Sequence, residues 1–150
     1  MRRGRQALAT ALLTVSTTVL VSAQGAPAPA GPAAAGDYIF RAPAGLLIFH
    51  VRPDHVENFE AVMTRLAQGL DGATDDVRRQ QRTGWRVFRS EDAPAGTAVY
   101  VVMVDPVVPG ADYDPVRMMA ELLPGESQPL FERLKAAVIR VERMGLARLR

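Results

Sequence analysis

Leu46-Leu47-Ile48-Phe49-His50-Val51 and Ala98-Val99-Tyr100-Val101-Val102-Met103-Val104 are the two stretches that decide how this 150-residue chain folds. A strand with one face in water alternates apolar and polar residues, whereas an unbroken apolar run has both faces covered. Pro53 follows the first run, and Asp105-Pro106 closes the second, because proline has no N–H to give a strand ladder. Two strands dry on both sides constrain architecture and assembly. They name no reaction.

Working outward, the first strand spans residues 45 to 51 and leads into a helix with Val56, Phe59, Met63, Leu66 and Leu70 at alternating three- and four-residue steps. Asp54 is the expected cap of that helix, with Glu57 in its first turn. Thr74 is the expected cap of a short helix over residues 75 to 82, ended by Gly84. Residues 85 to 89 read as a half-covered strand, and residues 91 to 96 as a turn into the second apolar strand. Asp114-Pro115 opens a short helix carrying Met118, Met119 and Leu122. The last helix is expected over residues 127 to 144, with Phe131, Leu134, Val138 and Val141 buried. A brief edge strand follows at residues 146 to 150.

The order is β-α-β-β-α-β, the split βαβ of ferredoxin-like folds, an α+β class with an antiparallel sheet and helices on one face. The two apolar strands are its first and third, which lie at the centre of such a sheet. One layer of helices dries only one side of them. About half a dozen large side chains would otherwise face water at about 1.5–3 kcal/mol each, on the order of a whole domain's net stability. The expected solution is a sheet-to-sheet homodimer, a dimeric α+β barrel.

Upstream, Arg2, Arg3 and Arg5 precede an uncharged run of small and apolar residues from Ala7 to Val21, and Val21-Ser22-Ala23 supplies small residues for cleavage before Gln24. Residues 1–23 therefore read as a signal peptide, and the run is too short and too diluted by Ser and Thr for a membrane span. Residues 24–36, Ala/Pro-rich and without a large apolar side chain, read as a linker, leaving 37–150 as one domain. The expected protein is exported, periplasmic or secreted, with no membrane association once the signal is cleaved. The whole chain has 18 basic and 16 acidic residues. Three of the basic residues lie in the signal, so the mature chain is near neutral, which argues against a nucleic-acid partner. With no cysteine, disulfides, thiolate metal sites and a Cys nucleophile are excluded.

The element order, the apolar strands, and the segments Gly84-Trp85-Arg86-Val87-Phe88 and Val104-Asp105-Pro106-Val107-Val108-Pro109-Gly110-Ala111-Asp112-Tyr113 resemble the dimeric α/β-barrel superfamily over residues 37 to 150. More narrowly they are similar to its antibiotic-biosynthesis-monooxygenase-like members and to a group of exported bacterial proteins within it. The resemblance implies cofactor-independent oxygenation, haem breakdown, stress response or no catalysis at all, so it does not choose a function. Haem-degrading members use an Asn on the first strand. None stands there in this chain.

His50, Asp54 and His55 offer two imidazoles and a carboxylate, but a third nitrogen ligand is missing and their spacing matches no metal-ligand pattern, so no metal is assigned. Asp54 reads better as a helix cap. The arginines at 78, 79, 82, 86 and 89 are flanked by acids and read as a solvated or ion-paired face. Phe49, His50, Trp85, Tyr100, Tyr113, Met118 and Phe131 are the candidate lining of a pocket for a small apolar molecule, set against the plain alternative of ordinary core. No catalytic residue and no cofactor are assigned. The reading is an exported homodimeric barrel, non-catalytic or binding a small apolar ligand. The alternative is a cofactor-independent monooxygenase acting on a small aromatic or quinone-like substrate.

Overall fold

The computed structural model describes residues 38–149. The expected signal peptide and linker, residues 1–23 and 24–36, lie outside the described residues. In chain order the elements are β1 (Ala44–Val51), a 3₁₀ turn (Pro53–His55), α1 (Val56–Asp71), α2 (Asp76–Gly84), β2 (Trp85–Arg89), β3 (Ala98–Val104), α3 (Pro115–Leu122), α4 (Ser127–Ala137) and β4 (Val138–Leu146). Among the described residues the fold is α+β, with one four-stranded antiparallel sheet and four α-helices. The strands lie in the order β2-β3-β1-β4, which puts the two apolar runs side by side in the middle.

Their pairing register sorts the side chains. Leu47 lies opposite Val102 and Phe49 opposite Tyr100, and all four are buried. The alternate residues, Leu46, Ile48, Val99, Val101 and Met103, are only half-buried. Period-two alternation sends them to the other face. Phe88 of β2 and Met144 of β4 extend that apolar face toward both edges, each 49% exposed. On the first face α1 supplies Phe59, Val62, Met63, Leu66 and Leu70 to the core. Tyr113, Met118 and Met119 complete it from the α3 side.

Three local expectations are corrected. Asp54 does not cap α1: it sits in the 3₁₀ turn, and His55 occupies the cap position without a side-chain bond to the helix backbone. Pro53 drives this, because its fixed φ and missing N–H suit the first position of a helical turn. Asp75, not Thr74, caps α2, its Oδ1 accepting from the Arg78 N–H at 3.0 Å. That carboxylate also meets the positive end of the helix. Asp114 caps α3 as expected, accepting from Val116 N at 2.9 Å.

The third correction is the largest. The expected helix over residues 127 to 144 stops at Ala137, and β4 runs from Val138 through Leu146. Val138-Ile139-Arg140-Val141 is mostly β-branched, which favours a strand. The three-residue step from Val138 to Val141 imitates a helix, but a strand can honour it too. A register shift between His50 and Val51 absorbs one residue, so Val138 faces Val51 and Val141 faces Phe49 on the same side of the sheet. Of the edge strand expected at residues 146 to 150, only Leu146 belongs to this element; residues 147 to 149 lie past its end, and residue 150 lies outside the described residues.

Two joints lack any connecting loop: α2 passes into β2 at Gly84/Trp85, and α4 into β4 at Ala137/Val138. At the first, a Cβ on Gly84 would lie 2.5 Å from the carbonyl oxygen of Pro106. Only glycine lets the chain approach so closely there. Beside it, Arg78 turns inward, donating to Gln81 Oε1 at 2.7 Å and to the Asp112 carbonyl at 2.8 Å, while its Nε reaches Glu121 of α3 at 2.9 Å. Arg79 and Arg82 stay outside, paired with Asp76 and Asp71. No helix among the described residues is long and apolar enough to cross a membrane.

Candidate functional site

β2 is an edge strand, and the helix layer leaves a gap above it. Trp85, Val87 and Arg89 alternate onto the helix side of β2, yet Val87 is 37% exposed although its partner Val102 is fully buried. The gap between α1 and β2 is a cleft of about 500 Å³, within the range of small-ligand sites. Its floor is aromatic. The Phe59 and Tyr100 rings lie 4.6 Å apart at 41°, and Trp85, 3% exposed, closes one end.

Polar groups meet at the other end. The Tyr100 hydroxyl donates to Glu60 Oε1 at 2.5 Å, and Arg89 reaches the same oxygen at 3.5 Å with its guanidinium 5.8 Å from the Tyr100 ring centre. Burial, then the hydrogen bond and charge of Glu60, push the Tyr100 hydroxyl up to about 12, against the nearby charge of Arg89. Trp85 carries the only buried side-chain polar atom without a hydrogen-bond partner among the described residues, its indole Nε1. An orphaned buried donor costs about 1–3 kcal/mol.

A second cavity of about 700 Å³ lies at the opposite edge, between α4 and the β1–β4 side of the sheet, and its walls include Phe49, Phe131, Leu134, Val138 and Val141. Its polar lining is Asp114 and Lys135, along with Tyr38.

The seven residues expected to line one pocket are thus distributed over the molecule. Trp85 and Tyr100 meet in the α1/β2 cleft, and Phe49 and Phe131 meet in the second cavity. Tyr113 and Met118 are fully buried in the core. The Tyr113 hydroxyl accepts from the Val108 N–H at 2.8 Å, and burial raises its pKa. His50 lies on the far face of the sheet, in register with Val99 and Arg140. His55 keeps to its own turn, 3.1 Å from Asn58 and 3.8 Å from Asp54. Among the described residues no group of three or more His, Asp or Glu side chains is placed to hold a metal ion.

Sequence reasoning passed over Glu60 and treated Arg89 as surface. A signal for Arg89 existed: residues 85, 87 and 89 share one face of a strand by the period of two. Glu60 had none, because its role depends on the pairing that brings Tyr100 beneath α1. No family model matches the chain, and no curated protein matches it.

Proposed function

We propose that this protein is an exported homodimeric α+β barrel of the ferredoxin-like type, whose α1/β2 cleft binds a small, mainly apolar aromatic molecule. The observation that carries the reading is the cleft itself: an aromatic floor with a few convergent polar groups and one strongly shifted hydroxyl. The dimer is supported by the apolar sheet face running from Phe88 through Val101 and Ile48 to Met144, which no element among the described residues buries. A second copy of the same face is the simplest cover for it. A thermal-shift screen against apolar and quinone-like aromatics tests the binding reading. Stabilisation by aromatic ligands that is lost in Trp85→Ala is expected, and no stabilisation by any of them overturns it.

A second reading, cofactor-independent oxygenation of a phenolic substrate, draws on the Tyr100–Glu60 pair. Glu60 would take a substrate proton, and dioxygen would supply one oxygen to the ring carbon while the other leaves as water, carrying the two hydrogens lost from substrate. Oxygen uptake with polyphenols that disappears in Glu60→Gln would favour this reading over simple binding.

A further inference from the structure

Two guanidiniums and one carboxylate line the α1/β2 cleft, and the guanidiniums are not equivalent. Arg82, on α2, is held by both oxygens of Asp71, at 2.6 and 3.4 Å. Arg89, at the end of β2, reaches among the described residues only Glu60 Oε1, at 3.5 Å, the outer limit of a hydrogen bond. That oxygen is already engaged by the Tyr100 hydroxyl. Among the described residues Arg89 therefore keeps its fork of donors almost unfilled, at the rim of an aromatic cleft and against the face of one of its rings. A guanidinium in this condition is a bidentate receptor for a carboxylate.

Resting on the reading of the cleft as a ligand site, we infer that its ligand is an aromatic monocarboxylate, with the ring against Tyr100 and Trp85 and the carboxylate on Arg89. A cationic ligand would compete with Tyr100 for Glu60 and meet two like charges. A neutral arene would leave the donors of Arg89 unused. A second carboxylate would bring another negative charge toward Glu60, which limits the ligand to one.

Trp85 is the only tryptophan in the chain, so its single indole N–H resonance reports on this cleft and on no other place. The probes are 2-naphthoate and its neutral counterpart 2-naphthalenemethanol, titrated into the protein by calorimetry while that resonance is followed. Naphthoate is expected to bind about tenfold tighter or more, as a charge-assisted bond implies, and both probes should shift the indole signal. Arg89→Gln should bring naphthoate down to the affinity of the alcohol, and Arg82→Gln should keep the preference. Equal binding of the two probes, or a preference that survives Arg89→Gln, overturns the carboxylate assignment and leaves the cleft as a ligand site. If neither probe moves the indole resonance, the cleft reading and the carboxylate assignment fall together.

Discussion

His50 and Glu142 meet across the β1–β4 ladder, Nε2 to Oε1 at 3.0 Å, on the sheet face turned away from the core. Arg140 holds the same oxygen at 2.7 Å and comes within 3.4 Å of His50 Nδ1. One acid thus serves two basic groups at the corner of an apolar surface. In the proposed dimer this corner leaves water, so removing the acid strands Arg140 without a counter-charge. Glu142→Ala is expected to weaken dimerisation about 30-fold or more, read by sedimentation over a dilution series. Glu126→Ala, which breaks an exposed pair with Arg65, should leave it unchanged. An unaltered dimer in the Glu142 variant would place the corner outside the interface.

Val101 and Val102 are neighbours with opposite surroundings. Val102 is fully buried on the helix side, and Val101 is half-buried on the open face. Val102→Lys should fail to fold, because an unpaired charge in the core is costly. Val101→Lys should lose the dimer: the protein should turn insoluble or unfolded, any soluble fraction having half the wild-type mass by light scattering, and a soluble dimer would place this face outside the interface. A wild-type monomer at micromolar concentration would remove the dimer from consideration.

Tyr100 sets an alkaline limit on stability. Its hydroxyl, ordinarily near 10, is raised to about 12 in the fold. Between those values the unfolded chain has released the proton and the native state has kept it, so stability is intact below pH 10 and falls as pH rises toward 12. Urea midpoints measured across this window should fall less steeply in Tyr100→Phe than in wild type. Tyr113, raised in the same direction by burial, leaves a residual slope. Equal slopes in the two proteins would show that Tyr100 keeps no proton beyond its ordinary range.

Gly84→Ala should destabilise the protein by about 1–3 kcal/mol, since the new methyl must displace backbone and not a flexible side chain. Gly125→Ala meets nothing within 4 Å and should stay within about 0.5 kcal/mol of wild type. Chemical denaturation of both measures the contrast, and equal midpoints would mean the loop at Pro106 yields freely.

Much of this architecture is legible from residues alone, and the losses have causes. Leu46 to Val51 and Ala98 to Val104 announce strands because their apolar runs are short and end at prolines, and the stripe from Phe59 to Leu70 announces α1. The end of α4 was not readable. Leu134, Val138 and Val141 satisfy the helical period, and the residue absorbed beside Val51 lets the same spacing serve a strand. The aromatic residues were legible as buried but not as neighbours. Phe49 and Tyr100 are direct cross-strand partners, yet they line different hollows because α1 passes above them and Phe59 stands between, its ring 5.2 Å from Phe49 and 4.6 Å from Tyr100. Where a helix crosses a sheet is decided by packing, and no window of sequence records it.

The two loopless joints restrict where this chain tolerates a change of length. One residue added at Gly84/Trp85 or Ala137/Val138 must either turn the preceding helix by about 100° or move every following strand residue to the opposite side of the sheet. Neither error has slack nearby to absorb it. The largely exposed stretch between β2 and β3 does have such slack, so a tag, a label or a natural insertion belongs there. Deletion scanning should find both joints intolerant, each at the start of an edge strand, and the turn between β2 and β3 permissive.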